Sequence, residues 1–372
     1  MEIIGLIAEY NPFHQGHAYQ LKTIKKTCPD GLIVVLMVGH FSQRGEPTIL
    51  DKWERTRLAL AYGADLVFEL PFCGATASAE VYARTSLDIL NTLGIHTLSF
   101  GCHTRDPLFI EHLGKKILNL KESSKMKGLK GQSLPSLLFK ELDLTEKERT
   151  FLTHGNDILA LEYSQAILRK NMDIALLPLE RISKDSRTGQ TLASATTIRE
   201  AIKKGDLPLY EDGLPEKTYA LLKNISYTYE DQLKKLYHYA WHFHPNCRQI
   251  KSPVQSFIYR EWIEKNTSLN ALSSKTFTNA FLRREILSLV FSYPSERRKK
   301  DQALAKDYLR FLGGRKEALD FLRGKKVTSK FTQALRSPLA PLYEESLKET
   351  ILRNSLLGTD TPLDYYQSPL II

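Results

Sequence analysis

Apolar residues in the first 180 positions fall into short solid runs, separated by stretches in which they recur every three or four places. Ile3, Ile4, Leu6 and Ile7 are apolar on both sides of an extended chain, as a central parallel strand covered by helices on each face requires. Leu32–Val38, Leu66–Pro71, His96–Gly101 and Ile174–Leu179 read the same way. Asp51–Tyr62 is amphipathic, with Asp51 as its cap and Trp53, Leu58, Leu60 and Ala61 among the apolar positions; Ser78–Leu93, capped by Ser78, is another such helix. Alternating strand and helix with short connections predicts an α/β fold with a doubly wound, Rossmann-like parallel sheet. The strand ends at Gly39, Pro71 and Gly101 would line one carboxyl edge beside the first strand-to-helix turn, the edge at which open sheets bind ligands.

The pattern changes twice further on. Ser123–Ser136 turns basic and glycine-rich, which reads as a mobile loop, with 124–134 a candidate lid; a helix follows over Asn156–Arg169. Beyond Leu214 the strand signal fades. Helical periods over Lys217–Asn224, Glu230–Trp241, Val254–Lys265, Phe277–Phe291, Asp301–Leu312 and Arg315–Arg323 predict a mainly α-helical domain. The expected division is a catalytic unit over residues 1–215 and a basic helical unit over 216–372.

Charge sharpens that division. The net +10 lies wholly in the second part: Met1–Pro215 carries 26 Lys+Arg against 26 Asp+Glu, and Glu216–Ile372 carries 26 against 16. A neutral half joined to a strongly basic one suits chemistry in the first and a polyanion on the second. Aromatic residues interleave with basic ones there (Tyr237, Tyr239, Trp241, Phe243, Arg248; Phe281, Arg283, Arg284), as RNA binding favours. His238, His242 and His244 have no carboxylate or cysteine close in sequence to complete a metal set, so no metal site is read. The longest apolar stretch, Leu32–Val38, is too short to cross a bilayer, Glu2 and Glu9 break any signal-like start, and Cys28, Cys73, Cys102 and Cys247 lack redox or metal spacing. These features predict a cytoplasmic protein without a membrane partner.

Chemistry concentrates where the first strand ends. Asn11-Pro12 stops the strand, and a helix can begin near Gly16, leaving His14 and His17 at its first turn, where unpaired N–H groups and the helix dipole favour an anion. Imidazole N–H groups there can stabilise phosphate oxygens as an α-phosphorus is attacked. A four-residue H-x-G-H is a weak signal alone, since a capping histidine and a packed one spell the same letters. Its place in the first strand-to-helix turn of a doubly wound sheet is what points to a nucleotide. Ser194-Ala-Thr-Thr-Ile-Arg199, opening a helix near Arg181, Lys184 and Arg187, offers a second set of phosphate ligands.

Gly5-Leu-Ile-Ala-Glu-Tyr-Asn-Pro-Phe-His-Gln-Gly-His17, Val38-Gly-His-Phe-Ser-Gln-Arg-Gly-Glu-Pro47, Asp51-Lys-Trp53, Gly63-Ala-Asp-Leu-Val-Phe-Glu-Leu-Pro71, Phe100-Gly101 and Asn156-Asp-Ile-Leu-Ala-Leu-Glu-Tyr163 together make the chain resemble the bacterial tRNA(Met) cytidine acetate ligases, a branch of the H-x-G-H nucleotidyltransferase superfamily. The resemblance implies a nucleotidyltransferase-type sheet and an enzyme that activates acetate with ATP, Mg²⁺ accompanying it, and acetylates N4 of the wobble cytidine of elongator tRNA(Met). It implies catalytic roles for His14 and His17. It also implies ATP contacts from Ile7, Ala8, Glu9, Tyr10, Asn11, Pro12, Phe13, His14, Gln15, Gly16, His17, Ala18, Tyr19, Gln20, Gly101, Asn156 and Arg181. The chain departs from the family at Cys102-His103, which replaces an acidic pattern, at Val38-Gly39-His40-Phe41, and at Lys275-Thr276. Two other readings share parts of the pattern. A small-molecule adenylyltransferase of the pantetheine-phosphate or nicotinamide-mononucleotide type leaves the basic half unexplained, and an RNA-binding protein with a degenerate nucleotide site is opposed by two intact histidines.

Overall fold

The alternating runs fold as their spacing predicts. The computed structural model describes residues 1–122, 134–180, 193–243, 251–274, 277–361 and 364–372. Its first part comprises β1 (Ile3–Ala8), α1 (Gln15–Thr27), β2 (Leu32–Val38), α2 (Lys52–Ala61), β3 (Leu66–Leu70), α3 (Ala79–Leu93), β4 (Thr97–Cys102), α4 (Pro107–Glu122), α5 (Gly155–Lys170), β5 (Ala175–Glu180) and α6 (Ala195–Lys204). The caps sit where their side chains demand. Asp51 accepts the N–H groups of Trp53 and Glu54 at 2.8 and 2.9 Å, and Ser194 accepts that of Thr197 at 3.1 Å. Strands β1 to β5 are parallel, in the order β5-β4-β1-β2-β3.

Alternation along β2 divides the core in two. Ile33, Val35 and Met37 pack on one face with Leu21 and Ile24 of α1 and Trp53 and Leu58 of α2; Leu32, Val34, Leu36 and Val38 pack on the other with Leu87 and Leu90 of α3 and Ala160 and Leu161 of α5. Helices on both faces explain why every β2 residue is apolar and buried. Among the described residues no helix is long and apolar enough to cross a membrane.

The later part is mainly helical, with α7 (Glu230–Phe243), α8 (Asn279–Val290) and α9 (Ala340–Leu357), but it also contributes strands that the helical reading of Asp301–Leu312 missed. The helix there stops at Leu304. Phe311–Gly314 forms β6, antiparallel to β3, and Leu370–Ile371 forms β7, parallel to β6. A four-residue strand ending in two glycines has almost no strand signature. Gly313 is there for closeness, because a Cβ would stand 2.6 Å from the Leu370 carbonyl oxygen. A buried polar network joins the same regions: the Lys52 ammonium contacts Glu69 at 2.9 Å, Asp364 at 2.5 Å and the Ser346 hydroxyl at 2.8 Å, all out of solvent.

Candidate functional site

The chain runs from β1 outward to β2 and β3, then returns to the other side of β1 for β4 and β5. The order therefore reverses between β1 and β4, which opens a crevice at their carboxyl ends. Leu6 pairs with Ser99, so continuing that register brings Gly101 level with Ala8. The H-x-G-H turn leaves β1 at this crevice.

His14 is the N-cap of α1 and His17 its third residue. The Gly16 N–H donates to His14 Nδ1 at 3.1 Å, and the His14 N–H donates to His17 Nδ1 at 3.2 Å. The two imidazoles thus serve as a capping box, a task usually given to Ser or Thr with Glu or Gln. The rings stack at 3.8 Å between centroids, 17° from parallel. With Nδ1 of each ring accepting, the proton of a neutral imidazole resides on Nε2, and that nitrogen is the donor. Gly16 is required between them: a Cβ there would lie 2.9 Å from His14 Cε1 and push the ring off its cap.

Beneath the histidines the turn is held by buried groups. Ile7 and Ala8 close β1. Glu9 follows, its Oε1 accepting the Gln43 N–H at 2.8 Å; burial raises its carboxyl above the usual range. Tyr10 is buried at φ 48°, a left-handed conformation that a bulky residue rarely adopts and that costs about 1–3 kcal/mol. Its ring packs edge-on against Phe13 and His17, at 4.9 and 4.8 Å, and so shapes the floor under the second imidazole. Asn11 Oδ1 accepts the Ile49 N–H at 2.9 Å, and Pro12 and Phe13 are buried. Gln15, Ala18 and Gln20 are half-buried on the first turns of α1, and Tyr19 is exposed. The Arg55 guanidinium, unremarked in the sequence, spans the strand ends: it donates to the carbonyls of Glu9 (2.8 Å), Val38 (3.1 Å) and Gly39.

The other expected ATP contacts divide. Asn156 lies on the first turn of α5, and the neighbouring Asp157 Oδ1 accepts the His103 N–H at 3.0 Å, which holds the segment after Gly101 against that helix end. Gly101 and Asn156 are thereby brought to one corner. Arg181, Lys184 and Arg187 lie outside the described residues, as do 124–133 of the lid expected over 124–134 and the Lys275-Thr276 departure. Arg199 corrects the phosphate role read for it. It is buried, donates to the Asn11 carbonyl at 2.9 Å and pairs with Glu46 at 3.2 Å, so it braces the turn from below.

The basic and aromatic residues of the second part fall into two groups. Arg283 pairs with Glu46 at 3.2 Å, Arg284 donates to the Gln43 carbonyl at 3.0 Å, and Tyr237 is core, its hydroxyl on Gln255 at 2.8 Å. These residues hold the parts together. Tyr239 and Phe243 are instead exposed, by 61% and 70%, with rings stacked at 5.2 Å on the outer side of α7. A cleft of about 810 Å³ lies between α6 and α7, lined by Arg44, Lys203, Tyr227 and Asn279 among others. His40, a departure from the family pattern, is wholly buried; burial and the nearby Lys52, Arg353 and Arg55 hold it neutral, accepting from the Lys52 N–H at 3.2 Å and facing the Thr350 hydroxyl at 3.1 Å.

A family model described as HIGH Nucleotidyl Transferase matches residues 1–357. Among curated proteins, the tRNA(Met) cytidine acetate ligase of Clostridium perfringens (strain SM101 / Type A) is 31% identical over 403 residues, taking in 100% of both chains. The ligase of the same name from Leuconostoc citreum (strain KM20) is 30% identical across 95% of this chain and 90% of the relative. That of Leuconostoc mesenteroides subsp. mesenteroides is 35% identical over 240 residues, which is 63% of this chain and 60% of the relative. The crystal structure of Thermotoga maritima TmcAL bound with alpha-thio ATP (form II) superposes with a TM-score of 0.82, covering 100% of each chain at 23% identity, a likeness of fold.

Proposed function

The chain belongs to the HIGH nucleotidyl transferases and, within them, to the tRNA(Met) cytidine acetate ligases, and from that premise we propose how it acts. It is an ATP-dependent ligase that joins acetate to N4 of the wobble cytidine of elongator tRNA(Met), giving N4-acetylcytidine. Acetate is a poor acyl donor, because its leaving group would be oxide. One carboxylate oxygen therefore forms a bond to the α-phosphorus of ATP while the bridge to the β-phosphate breaks, yielding acetyl-adenylate and pyrophosphate. The cytidine amine next attacks the acetyl carbonyl, AMP departs and the amine loses a proton. The first step calls mainly for positioning and charge stabilisation.

His14 and His17 supply that stabilisation through their Nε2–H groups, aimed at oxygens of the α-phosphate. The observation that carries this reading is the paired Nδ1 tether, which commits both rings to backbone donors and leaves Nε2 to carry the proton. Residues Ile7 to Gln20 cradle the nucleotide, Gly101 and Asn156 hold it from the β4 side, and Arg181 neutralises the phosphates. Mg²⁺, as the companion of ATP, would neutralise part of the triphosphate's charge. Glu9, the carboxylate next to the turn in sequence, is half-buried, its carboxyl raised by desolvation and held by the Gln43 N–H, which suits a fixed acid better than an ion ligand. The basic helical half receives the tRNA, with Tyr239 and Phe243 as a stacking platform. A tRNA substrate suits a cytoplasmic enzyme.

Pyrophosphate release measured with ATP and acetate, with and without elongator tRNA(Met), tests this reading. The ligase predicts acetate-dependent release, sustained turnover with the tRNA, and tRNA binding that weakens steeply with salt. Release that demands a second small nucleotide instead of acetate would identify an adenylyltransferase of the other kind. Inert ATP would leave only an RNA-binding protein.

A further inference from the structure

At the corner where the segment after β4 meets the first turn of α5, three side chains far apart in sequence converge. His103 Nδ1 stands 2.9 Å from Asp157 Oδ2, and His154 Nδ1 stands 3.6 Å from the same oxygen. The rings face each other at 4.2 Å between centroids, and the candidate donor atoms of all three residues lie within 4.8 Å of one another. The Asp157 side chain is fully buried, whereas the histidines are about half exposed, at 47% and 43%. They open on a cavity of about 500 Å³ whose wall includes Thr104, Lys147, Thr150 and Phe151. From this geometry we infer that His103, His154 and Asp157 form a binding site for a divalent transition-metal ion of the Zn²⁺ type.

Donor chemistry selects the ion. Two imidazole nitrogens and one carboxylate oxygen suit Zn²⁺ and its neighbours, while Mg²⁺ and Ca²⁺ demand an oxygen shell. Spacing agrees with that choice. Ligands about 2.0–2.1 Å from a tetrahedral Zn²⁺ stand about 3.3–3.4 Å apart, and the two separations from Asp157 Oδ2 bracket that value. The carboxylate is already oriented, because its second oxygen accepts the His103 N–H at 3.0 Å, the kind of outer support that ligating carboxylates receive. Three protein ligands leave a fourth position facing the cavity for water or an anion. Binding has a defined cost: His103 Nδ1 faces the Asp157 carboxylate at 2.9 Å and His154 Nδ1 the Thr150 carbonyl at 3.2 Å, so the proton on each must move to Nε2 before the rings can ligate through Nδ1. The site adjoins Gly101 and Asn156, which the proposed nucleotide site uses, and its test reads metal binding rather than ligase activity.

The test uses the full chain, freed of metal by chelator dialysis and titrated with Co²⁺ as a visible-absorption probe and with Zn²⁺ by calorimetry. The expected result is one equivalent bound at micromolar concentration, with the intense visible bands of a low-coordinate nitrogen-ligated Co²⁺. His103→Ala and His154→Ala should each weaken that binding roughly tenfold or more and abolish a Zn²⁺-induced rise in melting temperature. Both substitutions fall on half-exposed rings, so the folded state survives them. Absence of stoichiometric uptake by the wild-type chain overturns the inference. Uptake undiminished in both variants overturns it equally, by locating the ion elsewhere.

Discussion

Replacing His17 with glutamine is expected to slow acetyl-adenylate formation roughly 10²–10³-fold while leaving the melting temperature close to that of the wild type. The two effects separate because His17 has two tasks. Its Nδ1 accepts the His14 N–H and completes the cap of α1, and glutamine at this third helical position can accept the same bond. What glutamine cannot restore is an Nε2–H at the far side of a ring stacked 3.8 Å from His14. His17→Ala removes both tasks, so it should lose the same rate and, in addition, about 1 kcal/mol of stability. Affinity for tRNA should be nearly unchanged in either variant, since neither substitution removes a basic or aromatic residue of the second part. Single-turnover quench assays with labelled acetate, paired with thermal melts, report each quantity. Adenylation at the wild-type rate in the glutamine variant would remove the imidazole from the reaction.

The largest stability effect is expected at Lys52. Lys52→Met should destabilise the protein by about 3–5 kcal/mol at pH 7, because it strands Glu69 and Asp364 in a site without water. Both carboxylates are entirely buried, and Tyr308 and Thr350 donate to their remaining oxygens at 3.0 and 2.9 Å. Burial opposes ionisation of Glu69, but Lys52 and Arg310 outweigh it and hold its carboxyl below the ordinary value of 4.5. A depressed acid of this kind stabilises the fold above 4.5 and loses its contribution as pH falls through the folded value. Without Lys52 the burial effect wins, and the stranded acids take up protons above 4.5. The deficit of the variant should therefore shrink as pH falls from 7 toward 5, measured by urea melts at each pH. A deficit that is small, or that widens on acidification, would mean the network is not the tie between β3 and α9 that its geometry describes.

These expectations also mark what was legible in the chain. Runs such as Leu32–Val38 and caps such as Asp51 and Ser78 announced themselves, because solid apolar strands and oxygen-bearing caps are local signals. The H-x-G-H turn was legible for the same reason. Strand β6 was not: four residues ending in Gly313-Gly314 pair with β3 from about 240 positions away, and nothing local announces the partner. Arg199, Arg283 and Arg284 look like phosphate ligands in a line of letters. Their roles as braces depend on Glu46, Asn11 and Gln43, which only folding brings near. The letters H-x-G-H allow one capping histidine beside a packed one; that both imidazoles cap depends on ring orientations that only folding sets. The His103–Asp157–His154 cluster spans some 50 residues and has no spacing to recognise.

The central claim is that an acetate oxygen attacks the α-phosphorus held at the H-x-G-H turn, and isotope transfer tests it most directly. Acetate labelled with ¹⁸O in both carboxylate oxygens, incubated with ATP, enzyme and elongator tRNA(Met), should yield AMP carrying one ¹⁸O atom and unlabelled pyrophosphate, in step with N4-acetylcytidine. Label appearing in inorganic phosphate, or acetylated tRNA formed beside unlabelled AMP, would contradict the account.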